Sequence, residues 1–284
     1  MIKGNNNLLT EQQVSEFNQN GLLIVKSFYN LEQEIEPIQY RIYQIIGIVI
    51  HKYQLPINQL PFSPDTFDYG YLDLINFDRK IGGEIYDAIK QIPEFIRLVA
   101  SESHCKLLSQ LRQTNLPGIA AGGYGIRIDN PCEEKYRAPW HQDYPAQFRS
   151  LDGLVFWSSL VPVTYSLGPV DFCLKSHHDG LVRVHTKDPK NPEKSGAYAL
   201  ILENEENLIN RYERVSPESN PGDLIIIDFL TIHRSGLNTG ERSRWSMQMR
   251  YFNFNDSTGI KLGWPGSFAT ATNIKNVHPE LFLN

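Results

Sequence analysis

From Gly118 onward the chain consists of short β-prone runs separated by turn clusters, and this constrains its fold more than any other feature. The runs are GIAAGGYGIRI, GLVFWSSLVPV, LIIIDFL and RWSMQMRYFNF. Runs of this length between turn signals predict an antiparallel sandwich or jelly roll. A polar stretch at about 185–221, containing NPEKSG and ENEEN, reads as a long excursion between strands, of the kind that covers a site. Gly122-Gly123-Tyr124-Gly125 lacks the Lys-Ser/Thr of a phosphate loop and reads as close-packed strand.

The first part of the chain differs. Thr10-Glu11-Gln12-Gln13 predicts a capping box, Val14 and Phe17 an apolar helix stripe, and Gly21 its stop. Leu22-Leu23-Ile24-Val25 lacks alternation and predicts a fully buried strand. Residues 31–112 read as mostly helical, since Ile38, Ile42, Ile45, Ile46 and Val49 recur at spacings of three and four. QLPINQLPFSPD and Gly82-Gly83 are expected to break that segment. The expected fold class is mainly β with flanking helices. It forms one domain over 1–284, with a strand and helices at 8–112 and a jelly-roll core at 118–252.

Two separated words carry metal chemistry. In His141-Gln142-Asp143, residues i and i+2 of a strand share a face, roughly 7 Å apart, so an imidazole and a carboxylate converge while Gln142 points away. The third ligand expected is His233, at the end of an inward face carrying Ile225, Ile227, Phe229 and Thr231. Two His and one carboxylate form the facial triad of non-haem Fe(II) oxygenases, which keeps coordination positions open. In the run from Arg242 to Arg250, Trp245, Met247 and Met249 form an apolar face, and Arg244, Ser246, Gln248 and Arg250 form the other. Arg244 offers a planar fork for a carboxylate, and Ser246 adds a hydroxyl on the same face. Arg242 is the obvious competitor for that role.

These words resemble the phytanoyl-CoA dioxygenase family of 2-oxoglutarate oxygenases. That family shows H-Q-D, a distal His, and an Arg eleven residues after it, matching His141-Gln142-Asp143, His233 and Arg244. TEQQVSEFNQNGLLIVKSF, FRSLDGLVFWSSL, GPVDFCLKSHHDG and PGDLIIIDFLTIHRSGLN match the surrounding stretches. The family's Asn-Gly and Pro-Gly turns are replaced here by Gly168-Pro169 and Leu174-Lys175. The resemblance implies a double-stranded β-helix (jelly roll, cupin-like) core, Fe(II) as metal, and 2-oxoglutarate and O₂ as cosubstrates. It implies that Trp157 and Ser235 join Arg244 and Ser246 around 2-oxoglutarate. The implied reaction hydroxylates a C–H bond of a small molecule with release of succinate and CO₂. Asp143 argues against a halogenase, which needs a small residue there. Desaturation, epimerisation and ring formation stay open.

Arg127, Arg137 and Arg149 flank H-Q-D, and Arg127 and Arg137 are candidates for meeting an anionic substrate. His177 and His178 read as structural loop residues rather than ligands. Two rival readings stay open: a cupin-like metalloenzyme that does not use 2-oxoglutarate, and a non-catalytic binding protein on the same fold. With 27 basic and 32 acidic residues, nothing in the charge favours nucleic acid or an anionic membrane. The longest apolar run, Ile45–Ile50, is too short to span a membrane and reads as buried helix. Three cysteines without a C-x-x-C, and no apolar leader, are the pattern of a cytoplasmic protein.

Overall fold

A computed structural model describes residues 7–188, 199–266 and 274–283. Helix α1 (Glu11–Asn20) begins at the expected capping box, with Thr10 and Gln13 satisfying each other's backbone N–H groups. It ends where Gly21 enters the left-handed region at φ 69° and donates its N–H to Phe17 O. Strand β1 (Leu22–Val25) follows, but only Leu22 and Leu23 are buried. The strand lies at the edge of its sheet, so Ile24 and Val25 are half-covered rather than enclosed.

A π-helical turn (Leu31–Ile35) leads into α2 (Glu36–Lys52), then α3 (Tyr71–Phe77), α4 (Ile81–Ile89), α5 (Pro93–Val99) and α6 (Glu102–Arg112). The helix α2 buries Ile38, Ile42, Ile46 and Val49, yet Ile48 is 67% exposed, so the apolar run covers one face and spills onto the other. Gly82 and Gly83 do not break a helix; they lie in the first turn of α4. There Gly82 lets α4 approach α3, since a Cβ would meet Ile75 at 3.0 Å and Arg79 at 2.7 Å.

The β region contains β2 (Pro117–Ile119), β3 (Gly125–Asp129), β4 (Gly153–Ser159), β5 (Asp171–Cys173), β6 (Val184–His185), β7 (Ile201–Leu202), β8 (Arg214–Val215), β9 (Leu224–Asp228), β10 (His233–Arg234), β11 (Arg244–Asn253) and β12 (Phe282–Leu283). The large antiparallel sheet runs β1-β9-β4-β11-β2, with β3 also on β11. The small sheet runs β10-β5-β8, and β12-β6-β7 forms a third. Gly122-Gly123 forms a turn between β2 and β3, so only Gly125 of that cluster is strand.

Of the stretch at 185–221, residues 189–198, which include NPEKSG, lie outside the described residues. The remainder supplies β7, the short helix α7 (Glu205–Ile209) and β8, which completes the small sheet of the jelly roll. Apolar packing is continuous from the helices into the sheets. Trp245, Met247 and Met249 face the helical layer, where Trp245 packs edge-on against Phe67 and Tyr71 and donates to Asp68. The opposite face of β11, with Arg244, Ser246, Gln248 and Arg250, is thereby turned to the space between the sheets.

Candidate metal centre and cosubstrate site

His141 and His233 face each other as an antiparallel bridge, each backbone N–H donating to the other's carbonyl at 3.0 Å. Asp143 does not sit in a strand. It has φ −70° and ψ −34° and starts a four-residue helical turn, Tyr144–Gln147. The turn after Gln142, rather than strand alternation, brings the carboxylate beside the imidazoles. Gln142 does point away, donating to Gly180 O and Leu230 O and accepting from Val182 N. The path to His233 is also broken. The chain leaves β9 at Asp228, turns through Phe229–Thr231 and crosses into the small sheet. Ile227 and His233 nevertheless reach the same cavity.

One ligand atom from each of His141, Asp143 and His233 lies within 4.8 Å of the other two, and no other His/Cys/Asp/Glu group among the described residues is so arranged. His141 Nδ1 donates to Pro139 O at 2.8 Å, and His233 Nδ1 to Thr231 O at 2.9 Å. A carbonyl can only accept, so Nδ1 carries the proton in both rings and each Nε2 keeps its lone pair for a metal. Burial, with the neighbouring His233, lowers the pKa of His141 to about 4; burial lowers that of His233 as well, so both rings stay neutral. Burial alone would raise Asp143, but the charge of Arg250 overrides it and holds the carboxyl at about 2.

The donor set fits a cation. Asp143 Oδ2 is buried without a hydrogen-bond partner among the described residues, 3.4 Å from His233 Nε2. Two sets of lone pairs at that distance repel unless positive charge lies between them. The other oxygen, Oδ1, accepts from Arg250 Nε at 2.6 Å.

A cavity of about 140 Å³ adjoins the triad. Val155, Trp157, Val170 and Ile227 give it an apolar wall, and Arg127, Gln147, Gln248 and Arg250 a polar one. Trp157 and Ser235 therefore border the cavity, as does Arg127. The Arg127 guanidinium also binds Asp129 and Tyr136 O. Arg137 is not on the cavity wall; it donates to Ser235 O and pairs with Glu134, bracing the Ser235 loop.

Arg244 and Ser246 are fully buried and are not among the residues that line the cavity. Arg244 is 1% exposed, and one of its terminal nitrogens meets Asp129 Oδ2 at 2.8 Å. Its Nε and Nη1, and Ser246 Oγ, have no partner among the described residues. Leaving buried donors of a charged group unmade costs about 1–3 kcal/mol or more each, so an acceptor is called for, and a carboxylate is one that suits a cation. Arg242 is excluded from this role by its bidentate pair with Asp68 on the helical side. His177 and His178 hold the end of α1 through Asn18 O and Gln19 O, as structural residues would. The sequence patterns assign no role to Arg250 or Asp129. Strand parity with Arg244 was the signal for Arg250; Asp129 had none.

On a jelly roll, two neutral imidazoles and one carboxylate around a shared point, beside a cavity with a buried arginine, define the non-haem Fe(II), 2-oxoglutarate-dependent oxygenases. The fold is shared with EctD from S. alaskensis with 2-oxoglutarate and 5-hydroxyectoine, at 15% identity over 88% of this chain and 78% of that one, TM-score 0.57. It is shared with the non-haem α-ketoglutarate-dependent carbocyclase SnoK from nogalamycin biosynthesis, at 14% identity over 87% and 85%, TM-score 0.55. The epimerase SnoN in complex with Fe3+, α-ketoglutarate and nogalamycin RO matches at 15% identity over 88% and 87%, TM-score 0.51. A search of curated protein sequences gave no match. The family model for phytanoyl-CoA dioxygenase (PhyH) matches residues 17–246, and the chain belongs to that family. It is an Fe(II)- and 2-oxoglutarate-dependent oxygenase.

Proposed function

We propose that this oxygenase hydroxylates an unactivated C–H bond of a small molecule, turning 2-oxoglutarate and O₂ into succinate and CO₂. His141, Asp143 and His233 would hold the iron. The observation that carries this assignment is the unpartnered Asp143 Oδ2 facing the His233 Nε2 lone pair. When bound, iron supplies the activation of O₂, with the keto acid as its source of electrons.

The chain's own residues do the rest. The carbonyls of Pro139 and Thr231 fix both ring tautomers. Arg244 and Ser246 would take the distal carboxylate of 2-oxoglutarate on the donors they leave unpaired. Trp157, Val155 and Ile227 keep water off the apolar side of the cavity. Arg127 would meet the polar end of the substrate, from the wall that also carries Gln147 and Gln248. We further propose one functional domain working in the cytoplasm, in keeping with three free cysteines. No helix among the described residues is long and apolar enough to cross a membrane.

The test is direct. Purified protein with Fe(II), ascorbate and 2-oxoglutarate should release succinate. Anaerobic addition of Fe(II) and 2-oxoglutarate should produce a weak visible charge-transfer band. Absence of both would overturn the proposal.

A further inference from the structure

We propose that Arg250 is a positioning residue that restricts Asp143 to a single metal-binding oxygen; the inference rests on the metal site proposed above. Asp143 has two oxygens in unlike surroundings. Oδ1 accepts from Arg250 Nε at 2.6 Å, and Oδ2 is buried and unpartnered on the side of the imidazoles. The carboxylate torsion of an Asp is broad and nearly two-fold, so nothing intrinsic to the residue distinguishes its oxygens. The distinction is imposed by the guanidinium.

Arg250 is itself held. Its Nη1 donates to Gly123 O at 3.1 Å and its Nη2 to Gln248 Oε1 at 3.3 Å. Its backbone is locked in the middle of the large sheet, opposite Val155 of β4. The backbone of Asp143 is tied separately, its N–H donating to Phe229 O at 3.0 Å. A carboxylate fixed at its backbone and at one oxygen has one oxygen left to offer. An Asp freed from Arg250 could turn both oxygens toward the metal and occupy a position that the cosubstrate needs. The same β11 face thus serves both ends of the site, with Arg244 for the cosubstrate and Arg250 for the metal ligand.

The test uses Mn(II) as the probe, titrated into wild type, Arg250→Gln, Arg250→Lys, and Asp143→Ala with and without Arg250→Gln. Arg250→Gln should weaken Mn(II) binding by about 10- to 100-fold, the usual effect of losing a partner of a ligating group. Arg250→Lys, which keeps a donor and a charge, should recover part of it. In the Asp143→Ala background Arg250→Gln should have no further effect, because the residue acts only through that carboxylate. Metal-minus-apo infrared difference spectra should show a narrower carboxylate splitting in Arg250→Gln, as two-oxygen binding requires. Unchanged Mn(II) affinity in a folded Arg250→Gln protein would overturn the inference alone, as would an equal loss in the Asp143→Ala background. Failure of wild type to bind Mn(II) would overturn the metal site and the inference together.

Discussion

His141 and His233, far apart in sequence, are joined as directly as neighbouring strand residues can be: each backbone N–H donates to the other's carbonyl at 3.0 Å, and the ring centroids lie 4.3 Å apart. Their backbones therefore set the spacing of the two imidazoles, and long flexible side chains have no part in it. Alanine at either position should abolish retention of Fe(II) through gel filtration and lower succinate release by more than about 100-fold, exceeding the cost of losing an outer partner. The far-ultraviolet dichroism should persist, because the bridge is made by backbone.

Arg244→Ala should raise the KM for 2-oxoglutarate by about 10- to 100-fold, the loss of a charge-assisted pair worth roughly 1.5–3 kcal/mol. Arg244→Lys should rescue poorly, since a point charge cannot replace a fork. Ser246→Ala should cost only about 1 kcal/mol in the same measurement. An unchanged KM in Arg244→Ala would remove that residue from the cosubstrate site.

Gly153 lies against Phe229, where an added Cβ would stand 2.3 Å from the ring. Phe229 donates its N–H to Gly153 O, and its carbonyl accepts from Asp143 N. Gly153→Ala should therefore destabilise the fold by about 1–3 kcal/mol through overpacking, and should also weaken metal binding. Thermal unfolding and Mn(II) titration of the variant check both. A loss of stability with intact metal affinity would show that the strain stops short of Asp143.

His104 gives the fold a pH dependence of its own. Tyr251 OH donates to Val99 O, so it accepts from His104 Nδ1, and Nε2 in turn accepts from Tyr29 OH. Burial lowers the His104 pKa from 6.5 to about 3. Between those values the unfolded chain takes up a proton that the folded chain refuses, so this residue makes stability fall as pH drops, by up to about 1.4 kcal/mol per pH unit. Urea midpoints between pH 7 and pH 4 should show that decline, and His104→Gln should flatten it. An identical slope in the variant would assign the acid sensitivity elsewhere.

Local rules made much of this protein legible in its residues alone. A capping box and a left-handed glycine depend only on near neighbours, so α1 ends where Thr10 and Gly21 say. Strand alternation has a period of two wherever the backbone is extended, so β11 turns Arg244, Ser246 and Arg250 to one face and Trp245 to the other. Tertiary structure decided what no local period encodes. Gly82 starts a helix rather than breaking one, because α3 packs close to it. The carboxylate of Asp143 arrives through a turn held by Phe229 O, and Arg250 reaches it from a strand more than a hundred residues away. Such contacts arise from closure of the two sheets, where the free energy of burial and pairing falls on residues with no relation along the chain.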